Sequence, residues 1–170
     1  MAFACLAKAA TAIESKRANV KEEEQIYQRS SERLYWLDLV NRVHHTSARL
    51  ALLRPAEKTY FAVCCLIGEV CNGGLSQFFF NSSGAMYGLA LDGLLELEAN
   101  DTAALLERAK TLLFGVAIVP VDTESRRQVL ANTAESPELD ELDREFWKSS
   151  ESLGEKCKNF ALRHALYRDA

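Results

Sequence analysis

Five cysteines, Cys5, Cys64, Cys65, Cys71 and Cys157, are the side chains best suited to metal or redox chemistry, and their spacing does not support either. A zinc site asks for closely paired thiolates with further ligands nearby. Cys64 and Cys71 stand seven apart instead, on one helical side with Tyr60 and Ile67. That predicts core packing as small hydrophobes with reduced thiols. An odd number of irregularly spaced cysteines argues against a disulfide framework and fits a reducing compartment, so a cytoplasmic location is expected. His44 and His45 are adjacent, point to different sides of a helix and form no i,i+4 metal pair. His164 falls on an apolar stripe between Phe160 and Tyr167, where a hydrogen-bonded histidine at the core edge is expected. There is no H-E-x-x-H, no G-x-S-x-G and no phosphate-binding glycine loop. No catalytic residue, cofactor or metal is expected.

The densest local pattern is N-G-G-L-S-Q-F-F-F-N-S-S-G at residues 72–84. Gly73 and Gly74 permit a sharp corner after a strongly periodic helix, and Gly73 is expected in a conformation that a β-carbon would oppose. Leu75, Phe78 and Phe79 fit one face of a single turn. Asn72, Gln77 and Asn81 both donate and accept, as the free backbone groups of a corner require. These amides, with Gly84 closing the motif, read either as a recognition site or as a buried brace. The brace is the expectation, with Gln77 buried and bonded to backbone around residues 72–74, because buried polar groups must be satisfied.

This motif closely resembles the signature of a bacterial all-α domain family of unknown function that includes a DNA-mimic protein. Two further stretches agree. P-A-E-K-T-Y at residues 55–60 resembles the start of the family's helix before the signature. E-L-D-E-L-D-R-E-F-W at residues 138–147 is similar to its acidic C-terminal segment. The resemblance covers about residues 53–167. It implies an all-α fold and, in at least one relative, occupation of a transcription regulator's DNA-binding surface.

A mimic of that kind needs carboxylates at phosphate-like intervals. Asp92 and Glu96 are one helical turn apart, with β-carbons separated by about 5–6 Å. A second cluster holds Glu135, Glu138, Asp140, Glu141, Asp143 and Glu145, interrupted by Arg144. Acids at a helix start, such as Glu138, Asp140 and Asp101, also serve as ordinary dipole complements. The net charge of −4 is mild for a mimic, and residues 1–58 carry ten Lys/Arg against seven Asp/Glu. From 59 to 107 there is no base at all, while six acids occur. Direct nucleic-acid binding is disfavoured without a basic stripe, and a basic protein partner is compatible.

The elements that position these residues are helical. With 170 residues, 48% of them apolar, only 3 Pro and 8 Gly, one bundle of about six to eight helices is expected. Residues 1–20 read as a tail or a helix, and 21–170 as one helical domain. Apolar periodicity predicts helices at 22–46, from Pro55 to the glycine corner, at 85–98, up to Phe114 with Gly115 as the stop, from Asp122, and from Pro137 onward. Trp36, Leu39, Val40 and Val43 form the apolar side of the first of these, flanked by Leu34 and Leu37. Asp101 is expected as a cap, residues 115–121 as a buried loop, and Gly154 as a possible break. Uninterrupted apolar runs are too short to span a bilayer.

The function this favours is a non-catalytic protein-binding domain, in its sharper form a DNA-mimic-like modulator of a basic regulator or nucleic-acid-binding protein. An immunity or antitoxin-like protein that neutralises a toxin is the alternative. An enzyme on an unusual helical scaffold is a third, and would need perturbed carboxylates in a deep pocket. The candidate partner-binding residues are Asp92, Glu96, Glu138, Asp140, Glu141, Asp143 and Glu145. No membrane partner is expected, and both monomer and homodimer remain open.

Overall fold

A computed structural model describes residues 30–43, 47–131 and 136–168. The segment 1–20, the start of the helix expected from residue 22, Cys5, His44, His45 and Glu135 lie outside the described residues. Among the described residues there are seven α-helices, one 3₁₀ turn and no strand. They are α1 (Ser31–Val43), α2 (Ser47–Ala51), α3 (Pro55–Phe80), the 3₁₀ turn Ser82–Met86, α4 (Tyr87–Glu96), α5 (Asn100–Phe114), α6 (Thr123–Leu130) and α7 (Pro137–Arg163).

The central element is α3, which packs on α4 and α7 and also touches α5 and α6. Pro55 opens it with a preset φ. The Glu57 carboxylate accepts the Arg54 N–H at 2.8 Å, satisfying one of the free amides of the first turn. Tyr60, Ala62, Val63, Leu66 and Val70 then bury one broad side. Helix α3 is long and apolar enough to cross a membrane, with a mean hydropathy of 1.3 over an 18-residue window, a property that its short uninterrupted apolar runs conceal. Here it is the core helix of a bundle.

Its partner α7 presents Leu142, Phe146, Leu153, Cys157, Phe160 and Ala161, a stripe at helical spacing. The helix runs straight through Gly154, where a break was expected. A mid-helix glycine costs about 1 kcal/mol, and the burial of Leu153 and Cys157 beside it outweighs that. Asp122 caps α6, accepting the Ser125 N–H at 2.7 Å. Asp101 does not cap α5: it lies in the first turn, where its charge complements the helix dipole, and Ala99 holds the cap position. As expected, α5 stops at Gly115, which has φ +57°.

Three expectations about apolar segments change. Residues 115–121 form a loop, but Val116, Ile118 and Val121 face solvent and only Val119 is buried. The reason is Arg126, whose guanidinium takes the Pro120 and Val121 carbonyls and turns the backbone inward. Cys71 is exposed although Cys157 is buried. In α1, Leu39 is fully buried while Leu34 and Leu37 are exposed. Side chains fix α1 to the bundle, with Trp36 stacked on Phe61 at 5.4 Å and Tyr35 against Tyr60 and Tyr167.

Candidate functional site

At the glycine corner the helical path of α3 breaks without ending. Gly73 and Gly74 leave helical geometry, and Gly74 has φ +80°. The chain then resumes as helix through Phe80, so the short aromatic turn expected from Leu75 is a helical continuation in a new direction. A β-carbon on Gly73 would land on the Gln77 side chain, and one on Gly74 would land on the Asp143 carboxylate. Asn72 and Gly73 are themselves exposed. Beyond the break, Leu75, Phe78 and Phe79 are fully buried. Phe79 packs against Phe78, Tyr87 and Phe114 at 5.2–5.7 Å.

Three groups brace this corner from different helices. The Glu69 carboxylate accepts from Gln77 Nε2 at 2.8 Å, Asn81 Nδ2 at 2.8 Å and Ser83 Oγ at 2.7 Å. Gln77 is half-buried, and its bonding partner is this carboxylate rather than the corner backbone. An ionised acceptor makes a stronger hydrogen bond than a carbonyl, which decides that competition. Asp143 Oδ1 accepts the Leu75 N–H at 2.8 Å from α7. Burial raises the Asp143 pKa, and the Leu75 hydrogen bond only partly offsets this. Trp147 Nε1 donates to the Val70 carbonyl at 3.1 Å.

The third brace, Arg126, was not singled out from the sequence. Its side chain is fully buried. Nε donates to Phe79 O, Nη1 to Pro120 O and Val121 O, and Nη2 to Asn81 O and Thr123 Oγ1, at 2.7–3.1 Å. Burial lowers its pKa, and Asp122 works against that. A β-carbon on Gly84 would meet both the Phe79 carbonyl and Arg126 Nε, so this close approach needs glycine. The available signal was register: Arg126 takes the inward position of α6, one turn before Leu130. Asp143 likewise sits one turn after Leu139, on the apolar side of α7.

The acidic candidates separate into two faces. Asp92 and Glu96 are exposed on α4, and Glu96 accepts from Thr59 Oγ1 at 3.0 Å. Among the described residues no Lys or Arg pairs with either. On α7, Glu138, Asp140 and Glu141 are exposed and Glu145 is half-exposed. This face is internally compensated. Arg108 of α5 reaches Glu138 at 3.8 Å and Glu145 at 3.7 Å, and Arg144 holds Glu141 at 2.6 Å. The Arg144 hydrogen bond lowers the Glu141 pKa. Asp143 belongs to neither face, because its carboxylate is spent on the corner. Helix α5 packs on both α4 and α7 and carries exposed Asp101 and Glu107.

An open groove of about 1020 Å³ runs between the end of α3, α6 and the start of α7. Phe80, Leu130 and Leu139 line it, with Asp140 and Arg127 as its charged groups. It holds no second acid, histidine or cysteine among its described lining residues, so it lacks the paired groups that acid–base chemistry uses. No group of three His, Cys, Asp or Glu among the described residues is placed to hold a metal. His164 caps the end of α7 as an exposed ring 4.3 Å from Phe160, rather than at the core edge.

The profile of the DMP19-like protein family matches residues 51–164, about two thirds of the chain. The chain belongs to the DMP19-like family. No curated protein and no solved structure matches it. The DMP19-like region runs from the end of α2 through α7 and contains the corner, both acidic faces and Arg126. Helix α1 lies outside it and is tied to it through Glu57, which is 5% exposed. This carboxylate accepts from Tyr35 Oη at 3.2 Å and Arg42 Nη2 at 2.9 Å, besides the Arg54 amide. Burial is the largest influence and raises the Glu57 pKa, but the Arg54 amide and the Arg42 and Arg54 guanidinium groups together bring it down to about 2. Tyr35 is pushed up to about 12, first by burial and then by the Glu57 charge.

Proposed function

We propose that this DMP19-like chain is a non-catalytic, cytoplasmic protein-binding domain that offers its acidic helix faces to a basic regulator or nucleic-acid-binding protein, as a DNA-mimic-like modulator. The observation that carries this is the Asp92–Glu96 pair. Two carboxylates one turn apart cost a few tenths of a kcal/mol in an isolated helix. Here they stay exposed and, among the described residues, without a cationic partner, in a span from 59 to 107 free of Lys and Arg. The α7 face already carries its own arginines, so α4 makes the first electrostatic contact. Membership of the DMP19-like family supports the same reading.

The test is affinity purification from the native cell, identification of the bound protein and measurement of its binding across ionic strength. Complementary charge mainly raises the association rate and is screened over about 8 Å at physiological salt. Binding is expected to weaken steeply with salt and on Asp92→Lys/Glu96→Lys, with the fold retained and only the exposed Thr59–Glu96 hydrogen bond lost. Duplex DNA carrying the partner's site is expected to compete. A complex indifferent to salt and to both reversals defeats the reading, and a partner that is a toxin untouched by DNA redirects it to neutralisation.

A further inference from the structure

Helix α4 is apolar nearly all round. Its sequence, Y-G-L-A-L-D-G-L-L-E over residues 87–96, holds two charged groups, Asp92 and Glu96, and eight residues that are apolar or glycine. A helix of that composition is ordinarily buried on every side. In α4, Ala90, Gly93 and Leu94 pack inward, with Gly93 close against Val63 and Thr59 of α3. The opposite side is open, with Leu95 51% and Leu89 37% exposed.

Scattered exposed leucines need no explanation, but these two belong to an ordered face. Leu89, Asp92 and Glu96 follow i, i+3, i+7, and Gly88, Asp92 and Leu95 follow i, i+4, i+7, so two adjacent rows share Asp92. Such rows are the ridges between which the side chains of a second helix settle. Gly88 lowers one of them. Its exposed position has no positive φ, and among the described residues beyond its own turn a β-carbon there would meet nothing within 4 Å. Nothing in the chain calls for glycine at this point, whereas a close backbone approach from outside does.

The charges select the occupant. Lys156 caps the Leu97 and Glu98 carbonyls at the end of α4 and keeps its charge there, and Lys58 stands beside the Thr59 that donates to Glu96. Against these two bases stand Asp92, Glu96, Glu98 and Glu107, the last of which, after burial, raises the Tyr87 pKa at the start of the helix. Further along α5, Arg108 reaches the α7 acids and Lys110 the Gly115 carbonyl. The balance at α4 is negative, and the helix itself carries acids alone. A second copy packed α4 to α4 would set like charges together, and anionic lipid or nucleic acid would be repelled. A basic protein segment is attracted.

We infer that α4 is the docking helix of the partner interface and takes a basic amphipathic helix, whose bases meet Asp92 and Glu96 while its apolar side chains pack on Leu89 and Leu95 over Gly88. This rests on the proposed acidic-face reading and adds the contact that a duplex backbone does not make, an apolar one. Charged groups govern how often partners meet, and desolvated apolar contacts govern how long they stay.

The probe is a phage-displayed random-peptide library panned on the full chain. Selected peptides are expected to combine Arg or Lys with large apolar residues at helical spacing. Leu89→Ser/Leu95→Ser should raise their dissociation rate at least ~tenfold with association within ~twofold. Asp92→Asn/Glu96→Gln should instead lower association and its salt dependence. Gly88→Gln fills open space and favours helix, so it should keep the fold and still speed dissociation at least ~tenfold. Basic peptides indifferent to the Leu89, Leu95 and Gly88 variants overturn the docking helix and leave the acidic-face reading standing. Apolar peptides without bases that need the leucines overturn the basic partner. An empty selection, or a dimer in sedimentation that Leu89→Ser/Leu95→Ser dissolves, overturns the inference.

Discussion

Asp143 fills the space that a β-carbon on Gly74 would occupy, and its carboxylate accepts the N–H of the next residue, Leu75, at 2.8 Å. The left-handed φ of Gly74 and the acid of α7 thus specify each other across 69 residues of chain. Gly74→Ala is expected to lower the unfolding free energy by about 2–3 kcal/mol, from strain and loss of this contact. Gly73→Ala is expected to cost about 1 kcal/mol, because the Gln77 amide in its way must give up the Glu69 carboxylate to make room. Urea unfolding of both variants checks the order, and equal losses contradict the positive-φ argument.

Arg126 is a buried cation held by carbonyls, and removing it takes the guanidinium donors from the Phe79, Pro120 and Val121 oxygens, while Asn81 O keeps the Gly84 N–H. Arg126→Met is expected to destabilise by about 3 kcal/mol or more. Arg126→Lys should recover only part, since one ammonium cannot reproduce the planar fork. Equilibrium unfolding gives the magnitudes. Hydrogen exchange should quicken across residues 116–121 in both variants, and unchanged protection there would separate Arg126 from the loop.

Glu57 makes stability depend on pH in a defined window. Its folded pKa of about 2 lies below the ordinary 4.5, so the folded state favours the ionised form. The contribution is complete above 4.5, and it is lost as pH falls from there towards 2. Its size is on the order of 3 kcal/mol. Tyr35 acts oppositely: with a folded pKa of about 12, its neutral form supports folding below 10 and that support is lost as pH rises towards 12. Glu57→Gln is expected to flatten the acid limb of an unfolding free energy–pH curve. An unchanged acid limb would mean that other carboxylates dominate.

Thiol accessibility should follow the packing. Cys71 is exposed, Cys157 is buried, burial pushes the Cys65 thiol up to about 12, and the contact with Cys157, together with burial, pushes Cys64 up as well. Maleimide at neutral pH is expected to label Cys71 ahead of Cys64, Cys65 and Cys157, which it reaches only with denaturant, as read by peptide mass mapping. Equal native-state rates at Cys71 and Cys157 would contradict the α3–α7 packing.

The sequence alone determined the helical class, the proline starts at Pro55 and Pro137, the Asp122 cap, the Gly115 stop and the corner at Gly73–Gly74. Each depends on interactions within a few residues, where φ preference, capping and the 3.6-residue period act directly. The family resemblance rested on the same local spelling. Tertiary structure decided what each charge does. Asp143 and Glu141 look alike in the sequence, yet one is taken inward by Leu75 and the other is held by Arg144. Glu69 gathers Gln77, Asn81 and Ser83, and Arg126 gathers carbonyls up to 47 residues away, because helices brought together by apolar burial choose polar partners by proximity. The exposed loop at Val116–Val121 has the same origin. Its apolar residues favour burial, but the demand of a buried guanidinium for carbonyl oxygens turned the backbone in and the side chains out.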